Sequence, residues 1–300
     1  MLKDAPQVAA VILNWNNYDD SADCIKSLQT LSYPAIDLFV VDNGSLDGSG
    51  ERLDDEFPEV DVLYTDENLG FSGGMNYGIR HILKTNPVYI WLLNNDVVIP
   101  RSDVLDQLVK VLEANKEIGV VTPLIKYFPE TDRVLFRKAV VNYQNGNTKH
   151  ISGAVDENEL LYNDYVPYCS ALIRSDILED TGLLPEEYFL YYEDVDHCTQ
   201  IRQKNHKIVT APRVWVAHKK EVTSTFKSPG FVEVYYRTRN IVLYIRKYDM
   251  KSHLFLAYYI YWIGLQIIFS IVSRDTSCIV ALVRGVVDGF RGVEGQGPYP

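Results

Sequence analysis

The sequence is poor in cysteine and carries no excess of positive charge. Its 300 residues include four cysteines, Cys24, Cys169, Cys198 and Cys278, with no C-x-x-C and no regular spacing. That excludes zinc ribbons and redox pairs, and the expectation is reduced thiols in a cytosolic compartment. Lys and Arg number 29 against 40 Asp and Glu, a net charge of −11, which argues against nucleic acid as a partner. No internal repeat or low-complexity tract appears, and 18 glycines with 13 prolines exclude a collagen-like chain. No signal peptide is expected either: the apolar run at residues 8–13 is short, follows Asp4 and leads into Asn14-Trp15-Asn16-Asn17. It reads as a buried first strand. What is there is ordinary globular material, 47% apolar and 23% charged, enough for one large domain or two modest ones.

The charge is unevenly placed. Residues 237–293 carry eight Lys/Arg and three Asp/Glu, whereas residues 1–236 carry 21 and 36. Only the C-terminal end is therefore suited to an anionic partner. The same end holds the one long uncharged run, residues 254–272, rich in Tyr, Trp and Phe. Its nineteen residues approach the ~20 that span a bilayer. Basic residues flank it on both sides (Arg246, Lys247 and Lys251 before, Arg274, Arg284 and Arg291 after), so charge asymmetry assigns no crossing. A monotopic helix or shallow hairpin fits the aromatic composition; a single crossing and a buried core helix are the alternatives.

The first half alternates Val/Ile-rich runs with helical patterns. Strands are predicted at residues 8–13, 37–42, 60–64, 88–93 and 118–122, and helices at 19–31, 47–57, 73–84 and 102–115. Ser102 and Asp103 are suited to cap the last of these. Such alternation predicts an α/β fold with an open, mainly parallel sheet covered on both faces. Ligands of such sheets bind beyond the carboxyl ends of the strands. Two polar clusters fall there, Asp42-Asn43-Gly44-Ser45 and Asn94-Asn95-Asp96. Residues 126–168 read as irregular strands and loops of the same domain, followed by a helix from Glu193 and a strand near 213–217.

Several segments could carry chemistry, each with a plainer alternative. The glycine-dense Asn68–Gly78 stretch is either a backbone cradle for a nucleotide or a structural turn; it is neither G-x-G-x-x-G nor a Walker A. Asp96 ends an apolar strand, where a carboxylate can bind a phosphate-bridging cation or simply form a turn. Glu193 and Asp194 follow the run Tyr188-Phe189-Leu190-Tyr191-Tyr192, where they could cap a helix or provide a general base, with Asp196 adding negative charge nearby. His218 ends a short apolar strand and, alone, reads as structural. The other histidines show no metal-ligand spacing.

Taken together and in order, Val40-Val41-Asp42-Asn43-Gly44-Ser45, Asn68–Gly78, Leu93-Asn94-Asn95-Asp96, Phe189-Leu190-Tyr191-Tyr192-Glu193-Asp194-Val195-Asp196 and His218 resemble the family 2 glycosyltransferases of the GT-A fold, in particular the rhamnosyltransferase-like branch. The resemblance spans about residues 8–218, with a weaker continuation through Tyr236-Arg237-Thr238-Arg239-Asn240 to 284–292. It implies that Asp42 reads the donor nucleobase with Asn14 and Asn16 beside it. Gly73, Gly74 and Asn76 would cradle ribose and diphosphate. Asn94-Asn95-Asp96 would occupy the D-x-D position, with Asp96 and His218 holding Mn²⁺ or Mg²⁺. Asp194 would be the general base, next to Glu193. Three departures bear on acceptor specificity: Asn94 for the first D-x-D carboxylate, Gln200 and His197 in the E-D-x-D helix, and Cys169-Ser170 for the commoner Gly-Ala.

The resemblance therefore implies an inverting hexosyl transfer from a nucleoside-diphosphate sugar to a hydroxyl of a glycan acceptor, polyprenyl-linked, at the cytoplasmic face of the cell membrane. Residues 1–230 would form the catalytic domain and 231–300 a helical membrane-associating region. A nucleotidyltransferase would want a basic, glycine-rich loop after the first strand, where Asn14-Trp15-Asn16-Asn17 stands instead. A catalytically silent nucleotide-sugar-binding protein is the non-enzyme alternative.

Overall fold

The structure, a computed structural model, describes residues 5–151, 153, 156–219, 230–250, 253–272 and 276–299. The chain begins as β1 (Val8–Asn14), α1 (Tyr18–Leu28), β2 (Ile36–Asp42), α2 (Ser49–Glu56), β3 (Asp61–Tyr64), α3 (Gly70–Ile82) and β4 (Tyr89–Asn94). It continues through β5 (Val97–Val98), α4 (Val104–Ala114), β6 (Ile118–Tyr127), β7 (Val134–Phe136), β8 (Ala139–Asn142), β9 (Asn147–His150) and β10 (Leu161–Tyr162). β11 (Ser170–Arg174), α5 (Ser175–Thr181), α6 (Glu193–Gln203) and β12 (Lys207–His218) follow, then α7 (Phe231–Lys247), α8 (His253–Val272) and α9 (Thr276–Arg291).

One sheet organises the molecule, in the order β10-β12-β6-β11-β4-β1-β2-β3, with β5 added to β12 and β7 to β6. The β3–β2–β1–β4 half is parallel, because each connection is a helix that crosses back over the sheet. β11 runs antiparallel between β4 and β6, and joins this half to the second parallel pair, β6–β12. Val8 through Ile12 and Ile90 through Leu93 are fully buried, as strands covered on both faces require. The mainly parallel, helix-flanked sheet is the GT-A arrangement. The irregular middle resolves into short strands, of which β8 and β9 form a separate hairpin.

The glycines of α3 are explained by packing. A Cβ at Gly78 would fall 2.7 Å from Val41 Cγ2 and 2.9 Å from Val11 Cγ2, so glycine lets the helix lie close on β1 and β2. Asp103 does stand at the N-cap of α4, but its carboxylate makes no capping bond; Arg101 holds it at 2.8 Å instead.

The expected domain boundary at residue 230 is not a packing boundary. Leu243 and Tyr244 of α7 belong to the same buried cluster as the sheet strands, and the Tyr244 hydroxyl meets Thr199 Oγ1 at 2.8 Å. α9 packs along α7 through small residues: a Cβ at Gly285 would fall 2.7 Å from the Tyr235 carbonyl. α8 packs on α7 through Phe255 and Tyr259 and leaves most of its remaining surface exposed. Among the described residues it is the one helix long and apolar enough to cross a membrane, and only 17% of its most apolar window is buried, so it is not the core helix considered above. Lys251 and Arg274, two of the expected basic flanks, lie outside the described residues.

Candidate active site

The carboxyl ends of β1, β2 and β4 bring the first polar cluster together, since the register pairs Asn14 with Asp42 and Leu13 with Asn94. Asn14 is fully buried, and its amide donates to Asp42 Oδ1 (2.7 Å) and Ser49 Oγ (2.8 Å) while its carbonyl accepts from Ser21 Oγ (2.6 Å). It thus orients Asp42 from behind and has no surface for a base, which corrects its expected place in the pocket. Asn16 is exposed and left-handed (φ 49°), with its side chain accepting from the Leu46 N–H at 2.8 Å. Beside it Trp15 is 41% exposed, an aromatic face that the motif reading did not single out.

Gly73, Gly74 and Asn76 are also corrected. They lie buried within α3 and form no loop. A Cβ at Gly74 would fall 2.6 Å from Leu13 Cδ1. Asn76 clasps the following segment, donating to the Leu184 carbonyl (2.8 Å) and accepting from the Leu184 N–H (3.0 Å). At the start of the helix the Leu69, Gly70 and Phe71 N–H groups are already spent on Asn43 Oδ1, Asn68 Oδ1 and the Phe189 carbonyl. These donors are not open to a diphosphate.

Asn94, Asn95 and Asp96 are partly exposed at the end of β4, and Asn95 is tied to Ser21 Oγ at 3.1 Å. The antiparallel pairing of Val97 with His218 brings the end of β12 alongside, so that His218 Nε2 lies 3.2 Å from Asp96 Oδ1. Asp96 Oδ1 is buried, with the His218 imidazole its facing group among the described residues. Burial pushes this carboxyl up, but the adjacent His218, its own backbone and Asn94 outweigh burial and hold it below its ordinary value. An oxygen and an imidazole nitrogen facing each other fit a divalent cation of the Mg²⁺ or Mn²⁺ kind. Among the described residues no group of three or more His, Cys, Asp or Glu is placed to hold a metal.

Glu193 and Asp194 open α6. Asp194 keeps part of its surface exposed and accepts the Val195 N–H at 2.8 Å. Burial pushes its carboxyl up to about 6, opposed by that N–H and by Arg237. Glu193 is buried with Oε2 unpartnered; burial, then the charge of Asp194, push it well above its ordinary value. Burial thus raises both carboxyls, and the charge of Asp194 adds to the rise at Glu193. Asp196 does not take the expected part: fully buried, it binds Lys247 Nζ (2.7 Å), the Tyr188 hydroxyl (2.7 Å), Gln200 Nε2 (3.0 Å) and the Tyr248 hydroxyl. Its charge is spent on Lys247.

Two contacts draw α6 toward the Asp96 turn. The Cys169 carbonyl accepts the Asn94 N–H at 3.0 Å, and the Tyr168 hydroxyl meets His197 Nδ1 at 2.7 Å. Since His197 Nε2 faces the Gly182 carbonyl at 3.1 Å, Nε2 carries the proton and Nδ1 accepts. Burial pushes the His197 pKa down to about 4, keeping it neutral in that bridge.

The segment before Glu193 is strained. Phe189, Tyr191 and Tyr192 have φ of 63°, 65° and 76°, conformations costing about 1–3 kcal/mol each for non-glycine residues. They are held from α7: Asn240 Nδ2 donates to the carbonyls of Tyr188 (3.0 Å), Leu190 (2.8 Å) and Tyr191 (2.8 Å), and Arg239 reaches the Tyr188 carbonyl at 2.8 Å. Arg237, Arg239 and Asn240 were visible in sequence only as part of a weak motif; no spacing rule points to their partners.

The comparisons agree with this architecture. The model of glycosyl transferase family 2 matches residues 9–182. The low-salt glycan biosynthesis hexosyltransferase of Haloferax volcanii is 24% identical over 96% of this chain and 92% of its own. The dTDP-rhamnosyl transferase of Shigella flexneri is 24% identical over 87% of this chain and 88% of its own. Among solved structures, the mannosyltransferase of Pyrobaculum calidifontis in complex with GDP-Man and Mn²⁺ aligns at a TM-score of 0.60 and 15% identity, covering 96% of this chain and 88% of that one. With the family model matching more than half of its length, this chain belongs to glycosyl transferase family 2.

Proposed function

We propose that the protein transfers rhamnose or another hexose, with inversion, from a nucleoside-diphosphate sugar to a hydroxyl of a lipid-linked glycan acceptor. The observation that carries the reading is the Asp194 carboxyl, partly exposed beside the buried Glu193 at the start of α6 and pushed up by burial to about 6. A group with that pKa is ionised at neutral pH yet basic enough to take a hydroxyl proton as the hydroxyl attacks the anomeric carbon. Asp42 and Asn16, with Trp15 adjacent, recognise the nucleobase, and Asn14 holds Asp42 in place. Asp96 and His218 would hold Mn²⁺ or Mg²⁺, with Asn94 and Asn95 shaping that turn. The cation would neutralise charge on the departing nucleoside diphosphate. Mn²⁺ accompanies the sugar nucleotide in the Pyrobaculum enzyme, which supports a metal here. Alignment of both substrates supplies much of the acceleration.

The exposed apolar surface of α8, with Ile260 60% and Ile268 57% exposed, supports peripheral or monotopic attachment at the cytoplasmic face of the membrane. On this reading residues 1–230 bind both substrates and the C-terminal helices bring them to a lipid surface. A panel of nucleotide sugars assayed for transfer with and without Mn²⁺, using the wild type and Asp194→Asn, tests the proposal. Binding without Asp194-dependent turnover on any acceptor would favour the catalytically silent sugar-nucleotide binder.

A further inference from the structure

We propose that Arg239 and Asn240 of α7 are positioning residues for Asp194, acting through the main chain of residues 188–191. The inference rests on the reading of Asp194 as the base and adds what keeps it in place. Both side chains are fully buried and directed at the strained aromatic segment. Asn240 has two amide hydrogens for three carbonyls, those of Tyr188, Leu190 and Tyr191, so it gathers them around one point. Arg239 braces it, with Nε donating to Asn240 Oδ1 at 2.8 Å and a terminal nitrogen donating to the Gly295 carbonyl at 2.7 Å.

Without these donors the carbonyls would be buried and unpaired while Tyr191 and Tyr192 kept unfavourable φ values, so the segment would relax. Glu193 and Asp194 follow Tyr192 directly and would move with it. The far end of the segment is anchored independently, by the Phe189 carbonyl on the Phe71 N–H at 2.7 Å and by Phe189 stacking on Tyr236 at 5.3 Å. Relaxation is thereby directed toward the carboxylates. The charged and titratable groups facing Asp194 are Glu193 and Cys198 on α6, Arg237 on α7, and Tyr165 and Tyr168 before β11. Its basicity comes mainly from burial, which the segment maintains.

The test uses the full chain with a sugar-nucleotide donor and acceptor, comparing wild type, Asp194→Asn, Asn240→Asp and Arg239→Lys. Asn240→Asp keeps an acceptor for Arg239 Nε but loses every donor to the three carbonyls. We expect its kcat per donor-binding site to fall at least about tenfold while donor KM changes less than about twofold. The acid limb of its kcat–pH profile should move down by about half a unit or more, as Asp194 becomes better hydrated. Arg239→Lys should shift kcat and the acid limb in the same direction by less, and carries the comparison if Asn240→Asp does not fold. An unmoved acid limb in both variants, with rates scaled only by the folded fraction, would reduce Arg239 and Asn240 to structural residues and overturn the inference alone. Full turnover in Asp194→Asn would instead overturn the reading of the base, and the inference with it.

Discussion

His218 Nε2 lies 3.2 Å from Asp96 Oδ1, although more than a third of the chain separates the two residues. The bridge between β5 and β12, pairing Val97 with His218, makes the contact. We expect Asp96→Ala and His218→Ala each to weaken Mn²⁺-dependent donor-nucleotide binding by at least about tenfold, measured by calorimetry with and without metal. Chelation with EDTA should abolish transfer by the wild type. Full activity after exhaustive chelation would remove the metal role of both residues.

Asp194 and Asp196 should separate chemistry from stability. Asp194→Asn is nearly isosteric but cannot accept a proton, so turnover should fall by about 10² or more with donor affinity preserved. Asp196→Asn should instead lower stability by about 1–3 kcal/mol, because Lys247 and the Tyr188 hydroxyl lose the buried carboxylate oxygen that accepts from both. Denaturant unfolding and rates per folded molecule distinguish the two effects. A chemical defect in Asp196→Asn without loss of stability would contradict the assignment.

The raised pKa of Asp194 also has a sign in the stability curve. Its folded value of about 6 lies above the ordinary carboxylate range, so the folded state binds more protons than the unfolded state between about 4 and 6. The group's cost is absent below that window and complete above it. Asp194→Asn should therefore melt higher than the wild type at pH 8 and with it at pH 3.5. In activity, kcat should fall as pH drops through about 6. Equal melting temperatures at pH 8 would mean that burial does not penalise this carboxylate.

For the membrane, Ile260→Glu combined with Ile268→Glu places charges on the exposed surface of α8. The wild type should float with anionic liposomes and the double variant should stay below, while donor-nucleotide affinity remains unchanged. Truncation at Asp249 is a poorer test, since it would also remove α9 from α7 and the Gly295 carbonyl from Arg239. If the wild type fails to float at low and high salt, α8 is an oligomer contact instead.

Local pattern by itself determined the alternating first half: β1 and β4 are unbroken apolar runs and β2 is apolar but for Asp37 before its final Asp42, as strands of a covered parallel sheet read. The positions of Asp42 and Asp96, at and just past the ends of β2 and β4, and of Glu193-Asp194 at the start of α6 followed from the same patterns, whereas the roles proposed for them came from the resemblance. The glycines of Asn68–Gly78 misled, because a glycine needed for close helix–sheet packing looks the same in sequence as one needed near a phosphate. Asn14 misled likewise, since a strand end can face solvent or a buried serine. Only the tertiary structure decided that His218 meets Asp96, that Asp196 is neutralised by Lys247, and that Asn240 gathers the carbonyls ahead of Asp194. These are contacts between elements far apart in the chain, fixed by strand order and by the seating of α7, and no local periodicity encodes them.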